Sequence, residues 1–196
     1  MIIGGGLMMG GGSSCFLNPS DKYSTVTLSN GNLTATSADT VTLGTVRANK
    51  SANSGKFYFE AKLTANPNGA NWAAGIGTAS MGLANLPGAD AYGYSMFSAG
   101  TVWGAGGQHG SGFPTSNTVG DVLGVAVDFA AGNLWLAVNG TWIVSGNPAT
   151  GANPSFTGVS GTFFPAVSVF NGTTVNTAFA PAFWKYACPA GFNPWP

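Results

Sequence analysis

Residues 120–142, GDVLGVAVDFAAGNLWLAVNGTW, constrain what this chain can fold into more than any other stretch. Apolar residues fall at alternate positions from Val122 to Phe129 and again from Leu134 to Val138, the period-two pattern of strands that bury one face. Asn139-Gly140 then closes a hairpin. Both central residues of a two-residue primed turn take positive φ, which Gly adopts freely and Asn tolerates better than most residues, so a return strand is predicted from Thr141. Asn30-Gly31 and Asn171-Gly172 repeat the same signal near either end of the chain.

Composition sets the class around this hairpin. Gly at 31 of 196 residues and a charged fraction of 6% are far from the globular averages of about 7% Gly and about 25% charged, and no sequence period explains the glycine. The expectation is a turn-rich, all-β single domain long enough to bury a sizeable core. Six basic residues balance six acidic ones, which leaves no basic field for nucleic acid or anionic membrane surfaces. No run approaches the ~18 apolar residues of a membrane span. Residues 1–14, MIIGGGLMMGGGSS, carry no charge and lack the basic start of a signal peptide. They are expected to form an assembly arm, using Met1, Ile2, Ile3, Leu7, Met8 and Met9 in a groove of a neighbouring subunit, ahead of a sandwich over residues 15–196.

Several stretches in order carry a family resemblance. Gly-Asp-Val-Leu-Gly-Val-Ala-Val-Asp at 120–128 is followed by a turn, a strand and Asn-Gly. Before it come Ser-Gly-Lys at 54–56 leading into the aromatic strand Phe57-Tyr58-Phe59-Glu60-Ala61, then Gly-Ile-Gly at 75–77 and a tyrosine strand ahead of a glycine turn at 88–107. After it come Phe164-Pro165-Ala166-Val167 and the closing Pro189-Ala190-Gly191-Phe192. The chain resembles SPRY domains over roughly residues 15–194. That resemblance implies a two-sheet antiparallel, jelly-roll-like sandwich of about twelve strands that binds partners through loops and needs no cofactor. It also implies that the first and last strands lie side by side. A bridge between Cys15 and Cys188 is then one reading, with two free thiols as the other.

Catalytic chemistry is sought and not found. Glycoside hydrolysis on related sandwiches needs two flanking carboxylates, and this chain has one glutamate, Glu60. His109, the one histidine, sits in GAGGQHGSG with no Gly-x-Ser-x-Gly elbow anywhere in the chain. No zinc spacing exists, and the glycines of 104–112 lack the lysine of a phosphate cradle. The expected role is therefore non-enzymatic binding.

The long connections 80–92, 104–117 and 144–160 are expected to gather at one rim and to contain a single charge, Asp90. Trp103 and Phe113 are the expected anchors, His109 and Asn117 the polar contacts, and Trp72 and Trp142 further aromatics beside glycine-rich loops. The glycine-, serine- and threonine-rich flavour resembles SPRY sequences of tailed bacteriophages. On that reading the chain is a virion component on head or tail, assembled in the host cytoplasm, with other structural proteins or copies of itself as partners. Binding of a host surface glycan or receptor, or of a short peptide as an adaptor does, are the alternatives.

Overall fold

The computed structural model describes residues 15–196. The arm expected over residues 1–14, with Met1, Ile2, Ile3, Leu7, Met8 and Met9, lies outside the described residues. Among the described residues fifteen strands form two facing sheets. They are β1 (Leu17–Lys22), β2 (Val26–Ser29), β3 (Thr34–Ser37), β4 (Gly44–Ala48), β5 (Lys56–Ala65), β6 (Ala73–Gly77), β7 (Gly93–Phe97), β8 (Thr101–Gly104), β9 (Gly107–Ser111), β10 (Val122–Asp128), β11 (Asn133–Val138), β12 (Thr141–Trp142), β13 (Phe164–Val169), β14 (Thr174–Ala178) and β15 (Asn193–Pro194). The first sheet runs β1-β4-β13-β6-β7-β8-β9 and the second β12-β11-β10-β5-β14-β3-β2. All these neighbours are antiparallel, while β15 lies parallel to β5 at Phe57 and Tyr58, where β14 has ended. The helical content among the described residues is two three-residue 3-10 turns, Ile143–Ser145 and Pro181–Phe183.

The central hairpin forms as its turn chemistry requires. Asn139 and Gly140 take φ of 51° and 78°, and the Asn139 amide group reaches back to Asp121 Oδ1 while its Oδ1 accepts from the Val122 N–H. β10 pairs β11 on one side and β5 on the other, so Phe59, Ala61, Leu63, Leu123, Val125, Val127, Leu134 and Leu136 form the layer between the sheets. Those side chains are fully enclosed. Each valine, leucine or phenylalanine among them contributes about 1.5–3 kcal/mol by leaving water.

Both outer faces are covered as well, which period-two reasoning does not anticipate. β4, β6 and β10 are buried at every position. On the first sheet the cover is the segment 78–92. Its carbonyls at Leu83, Asn85 and Pro87 accept from Thr45 N, Thr45 Oγ1 and Ser95 Oγ of the sheet beneath. Arg47, 6% exposed on β4, fixes its start: Nη1 donates to the Thr78 and Met81 carbonyls at 3.0 and 2.8 Å, while Nε and Nη2 grip both oxygens of Asp21. Gly88, at φ 97°, lies so close to β8 that an added Cβ would stand 2.5 Å from the Trp103 carbonyl.

On the second sheet the cover is the C-terminal strap, residues 183–192. Tyr58, Ala126 and Trp135 point outward and meet Phe192, with Trp184, Cys188 and Trp142 packed alongside. Tyr58 stands edge-on to Trp184 at 5.1 Å. Glu60, 2% exposed, is the pin: Oε1 accepts from Tyr58 Oη at 2.7 Å and the Tyr186 N–H at 2.9 Å, and Oε2 accepts from the Lys185 N–H at 2.6 Å. Past the strap, the chain turns inward at β15 and Trp195 enters the inter-sheet layer, ring against Phe57 at 5.3 Å and indole N–H donated to the Lys50 carbonyl.

Two expectations change here. The first and last strands do not lie side by side: β1 edges one sheet, and β15 fills the gap beside β5 in the other. No bridge joins Cys15 to Cys188, because the second sheet stands between them, Cys15 facing the inter-sheet core and Cys188 the outer face. Burial pushes the Cys15 thiol up to about 12, and burial followed by the nearby Glu60 charge pushes Cys188 up to about 11. Burial and then the same carboxylate also raise Tyr58.

Candidate binding rim

The β7–β8 and β8–β9 connections divide the expected site between two ends of the first sheet. Pairing of Tyr94 with Gly104 and of Gly104 with Gly107 sets the β8–β9 turn at one end, and pairing of Phe97 with Thr101 and of Thr101 with Ser111 marks the other. At the turn end Ala105 and Gly106 take φ of 50° and 96°, the primed geometry that a tight hairpin needs. The Gly106 N–H donates to Gly88 O at 3.2 Å and the Ala105 N–H to Gly93 O at 3.3 Å, which joins this turn to the tip of the 78–92 cover. Asp90 shapes that tip, accepting the Gly82 N–H at Oδ2 (2.8 Å) and the Tyr92 N–H at Oδ1 (3.0 Å). Tyr92 is left 48% exposed beside it. A cleft of about 290 Å³ opens within the cover, lined by Gly82, Ala84, Asn85, Ala89 and Asp90.

Two of the expected residues sit at this end. Trp103 projects from the outer face of β8, half-buried, its indole N–H donated to Thr101 Oγ1 at 2.9 Å. His109 is exposed on β9, its ring edge-on to Phe156 at 5.5 Å. Phe156 itself exchanges both main-chain bonds with Leu134 along the edge of β11. The 144–160 connection bridges Asn147 to Ala152, receives the Trp135 indole N–H at Ala152 O, and seats the buried Phe156 beneath His109 at the margin of the core. The expected loop 104–117 likewise contains β9.

The other expected residues lie elsewhere. Phe113 is half-buried against the core at the far strand end, held by its N–H to Gly100 O. Asn117 also sits at that end, its Nδ2 donated to Asn71 Oδ1 and its backbone carbonyl accepting from Asn66 Nδ2. Trp72 is fully buried, its indole N–H given to Ser116 O at 2.7 Å, so it has no face for a partner. Its place at a strand end misleads because the 113–118 segment folds over it. Trp142 belongs to the second sheet, 6.1 Å from Tyr58 under the strap. Sequence reasoning missed Tyr92. The available signal was a tyrosine between Asp90 and the glycine that opens β7.

All six carboxylates are occupied. Asp21 grips Arg47, Asp39 accepts the Val41 and Thr42 amides, Glu60 holds the strap, and Asp90 holds the loop tip. Asp121 accepts the Thr118 amide and the Asn139 side chain. Asp128 accepts the Ala130 and Ala131 amides and pairs with Lys56 at 2.8 Å. Burial opposes the Asp128 charge, but the Lys56 bond and the two amides outweigh it and lower its pKa. The Val41 amide and then the Thr42 amide lower Asp39. Among the described residues no three His, Cys, Asp or Glu side chains come together as metal ligands. What the rim offers is stacking, neutral hydrogen bonding and backbone contact.

Comparison with known proteins agrees with this architecture. The chain superposes on the crystal structure of the SPRY domain of human HERC1 with a TM-score of 0.61 at 16% identity, covering 83% of this chain and 96% of that one. It superposes on the TRIM65 PSpry domain with a TM-score of 0.61 at 13% identity, covering 84% and 91%. A search of curated protein sequences finds no match. The family model for the SPRY domain, generally a non-catalytic protein–protein interaction module, matches residues 56–181, and the chain belongs to that family.

Proposed function

We propose that the chain binds a partner protein at the rim built from the tip of the 78–92 cover, the β8–β9 turn and β9, with buried Phe156 supporting His109 from beneath. The observation that carries this is the meeting of three separate connections around solvent-facing Tyr92, Trp103, Gln108 and His109, while every carboxylate is committed to structure. Aromatic side chains held by packing cost little entropy to engage and tend to dominate interface energies. Asp90 and His109 are the only acidic or basic side chains in residues 78–92, 104–111 and 144–160, which build this rim. Binding is therefore weakly sensitive to salt, since screening acts on charges across about 8 Å at physiological strength. Peptides selected by the full chain from a displayed library, titrated at low and high salt against Tyr92→Ala and Trp103→Ala, test this. Loss in both variants with little salt dependence is expected; affinity that survives both substitutions and collapses in high salt puts recognition elsewhere.

The finer reading is a tailed-phage virion component on head or tail, held by residues 1–14. It draws on the charge-poor, glycine-rich composition and the uncharged head. Deleting residues 1–14 should leave thermal unfolding unchanged and end incorporation into the particle, and undiminished incorporation counts against it.

A further inference from the structure

The two sheets have four outer edges, and three of them are guarded. β1 carries Pro19, Asp21 and Lys22. β2 is four residues long, and Lys22 Nζ donates to its Val26 carbonyl at 2.6 Å. β12 is two residues long, and Phe156 occupies the edge of β11 beyond it. Proline, charge, shortness and cover are the devices by which proteins keep sheet edges from pairing with other chains. β9, GQHGS, has no proline, no Asp, Glu, Lys or Arg and no cover, and carries a single register irregularity at His109: it is five residues long and, among the described residues, pairs with β8 alone.

The inward side of β9 is open at Gly107, while the Phe113 ring already covers Gly110. An irregularity in the β8–β9 register sets Gly107 opposite Gly104 and Gly110 opposite Val102, so two inward-facing positions lack side chains. A Cβ at Gly107 would meet nothing within 4 Å. One at Gly110 would stand 3.1 Å from the Phe113 ring. Phe156 lies beside His109. Edge glycines of this kind are covered in sheets by an aromatic or branched residue on the next strand.

We propose that β9 is a strand-addition site, where an extended, uncharged segment of a partner protein becomes the eighth strand of the sheet. The inference rests on the reading of this chain as a protein-binding module and names the form its partner takes. Main-chain bonds supply affinity, and an apolar side chain over the open Gly107 position supplies specificity. Charge decides the class of segment: apart from His109, Asp90 is the one acidic or basic side chain between Lys62 and Asp121, so a charged strand would be desolvated without a counter-charge. A second copy of β9 is the poorer occupant. Two five-residue edges bury far less than the ~1,000 Å² of a stable interface, whereas a longer segment running past β9 also reaches Trp103 and Tyr92.

The test uses the full chain and a dodecapeptide selected from a displayed library and then synthesised. Proline is introduced singly at positions 107–111, and amide hydrogen exchange of the unsubstituted chain is followed with and without the peptide. Positions whose N–H turns away from β8 should lose about tenfold or more in affinity with thermal unfolding unchanged, as expected for a lost main-chain bond, and the same amides should gain protection on binding. If binding falls in Tyr92→Ala or Trp103→Ala while β9 amides exchange as before, strand addition is wrong and the rim reading stands. If no selected peptide depends on either the rim aromatics or β9, both readings fall.

Discussion

Replacing Glu60 by alanine isolates what one buried carboxylate does for this fold. The side chain is 2% exposed and accepts three hydrogen bonds at 2.6, 2.7 and 2.9 Å, two of them from backbone amides of the strap. Each bond to a charged group contributes about 1.5–3 kcal/mol, and a buried donor left without its acceptor costs about 1–3 kcal/mol. Against this stands the relief of the carboxylate's own desolvation, several kcal/mol for a buried ion. The net expectation for Glu60→Ala is a loss of about 3 kcal/mol, a large share of a typical 5–15 kcal/mol total. Glu60→Gln keeps one acceptor but turns an amide N–H towards a donor, and should lose about 1–2 kcal/mol. Tyr58→Phe removes one donor and should lose about 1 kcal/mol. Urea unfolding gives the totals, and hydrogen exchange locates them: amides 183–192 should lose protection in Glu60→Ala before those of β10 do. A Glu60→Ala protein within about 0.5 kcal/mol of the parent, or one whose strap exchanges as slowly, refutes the argument.

Two further outcomes follow from the same kind of bookkeeping. Arg47→Met leaves Asp21 and the Thr78 and Met81 carbonyls without their donor, and should cost about 3–5 kcal/mol while opening residues 78–86 to limited proteolysis. Alkylation by iodoacetamide should be slow at Cys188 and slower at Cys15, since burial raises both thiols and only the thiolate reacts. A folded pKa raised above the unfolded value means this stabilisation is complete below about pH 8.5 and is lost as pH climbs through about 11 for Cys188 and about 12 for Cys15. A Cys188→Ala protein should therefore lose less stability than the parent between pH 8.5 and 11, which urea midpoints across that range measure.

The elements that local chemistry dictates were legible in the sequence. Three of the four Asn-Gly pairs, at 30–31, 139–140 and 171–172, take positive φ at both residues, and Phe59, Ala61 and Leu63 share the inward face that alternation assigns them. What alternation cannot report is a second buried face. The clue was present in runs such as Ala73-Ala74-Gly75-Ile76-Gly77 and Val122–Val127, which lack the polar residue every second position that a solvated face would show. Glu60 carried a clue of another kind: a lone acid amid Phe57, Tyr58, Phe59 and Ala61 has to find donors, and the donors are 125 and 126 residues away. The rim was half legible for the same reason. Position beside a glycine loop marks Trp72 and Trp103 alike, and only long-range packing separates the enclosed one from the half-exposed one.

The entry of Trp195 into the inter-sheet layer sets an order of events during synthesis. Phe57 and Phe59 are made early, yet the ring that caps them belongs to a residue more than 130 positions later, and at Phe57 and Tyr58 β5 lacks a neighbour on the side away from β10 until Asn193 and Pro194 exist. At about 5–20 residues per second the nascent chain holds these aromatics uncapped for on the order of ten seconds. The sandwich therefore closes late rather than growing strand by strand as it emerges. Nascent chains halted before residue 193 should remain protease-sensitive and chaperone-bound, and become resistant once Trp195 has left the ribosome.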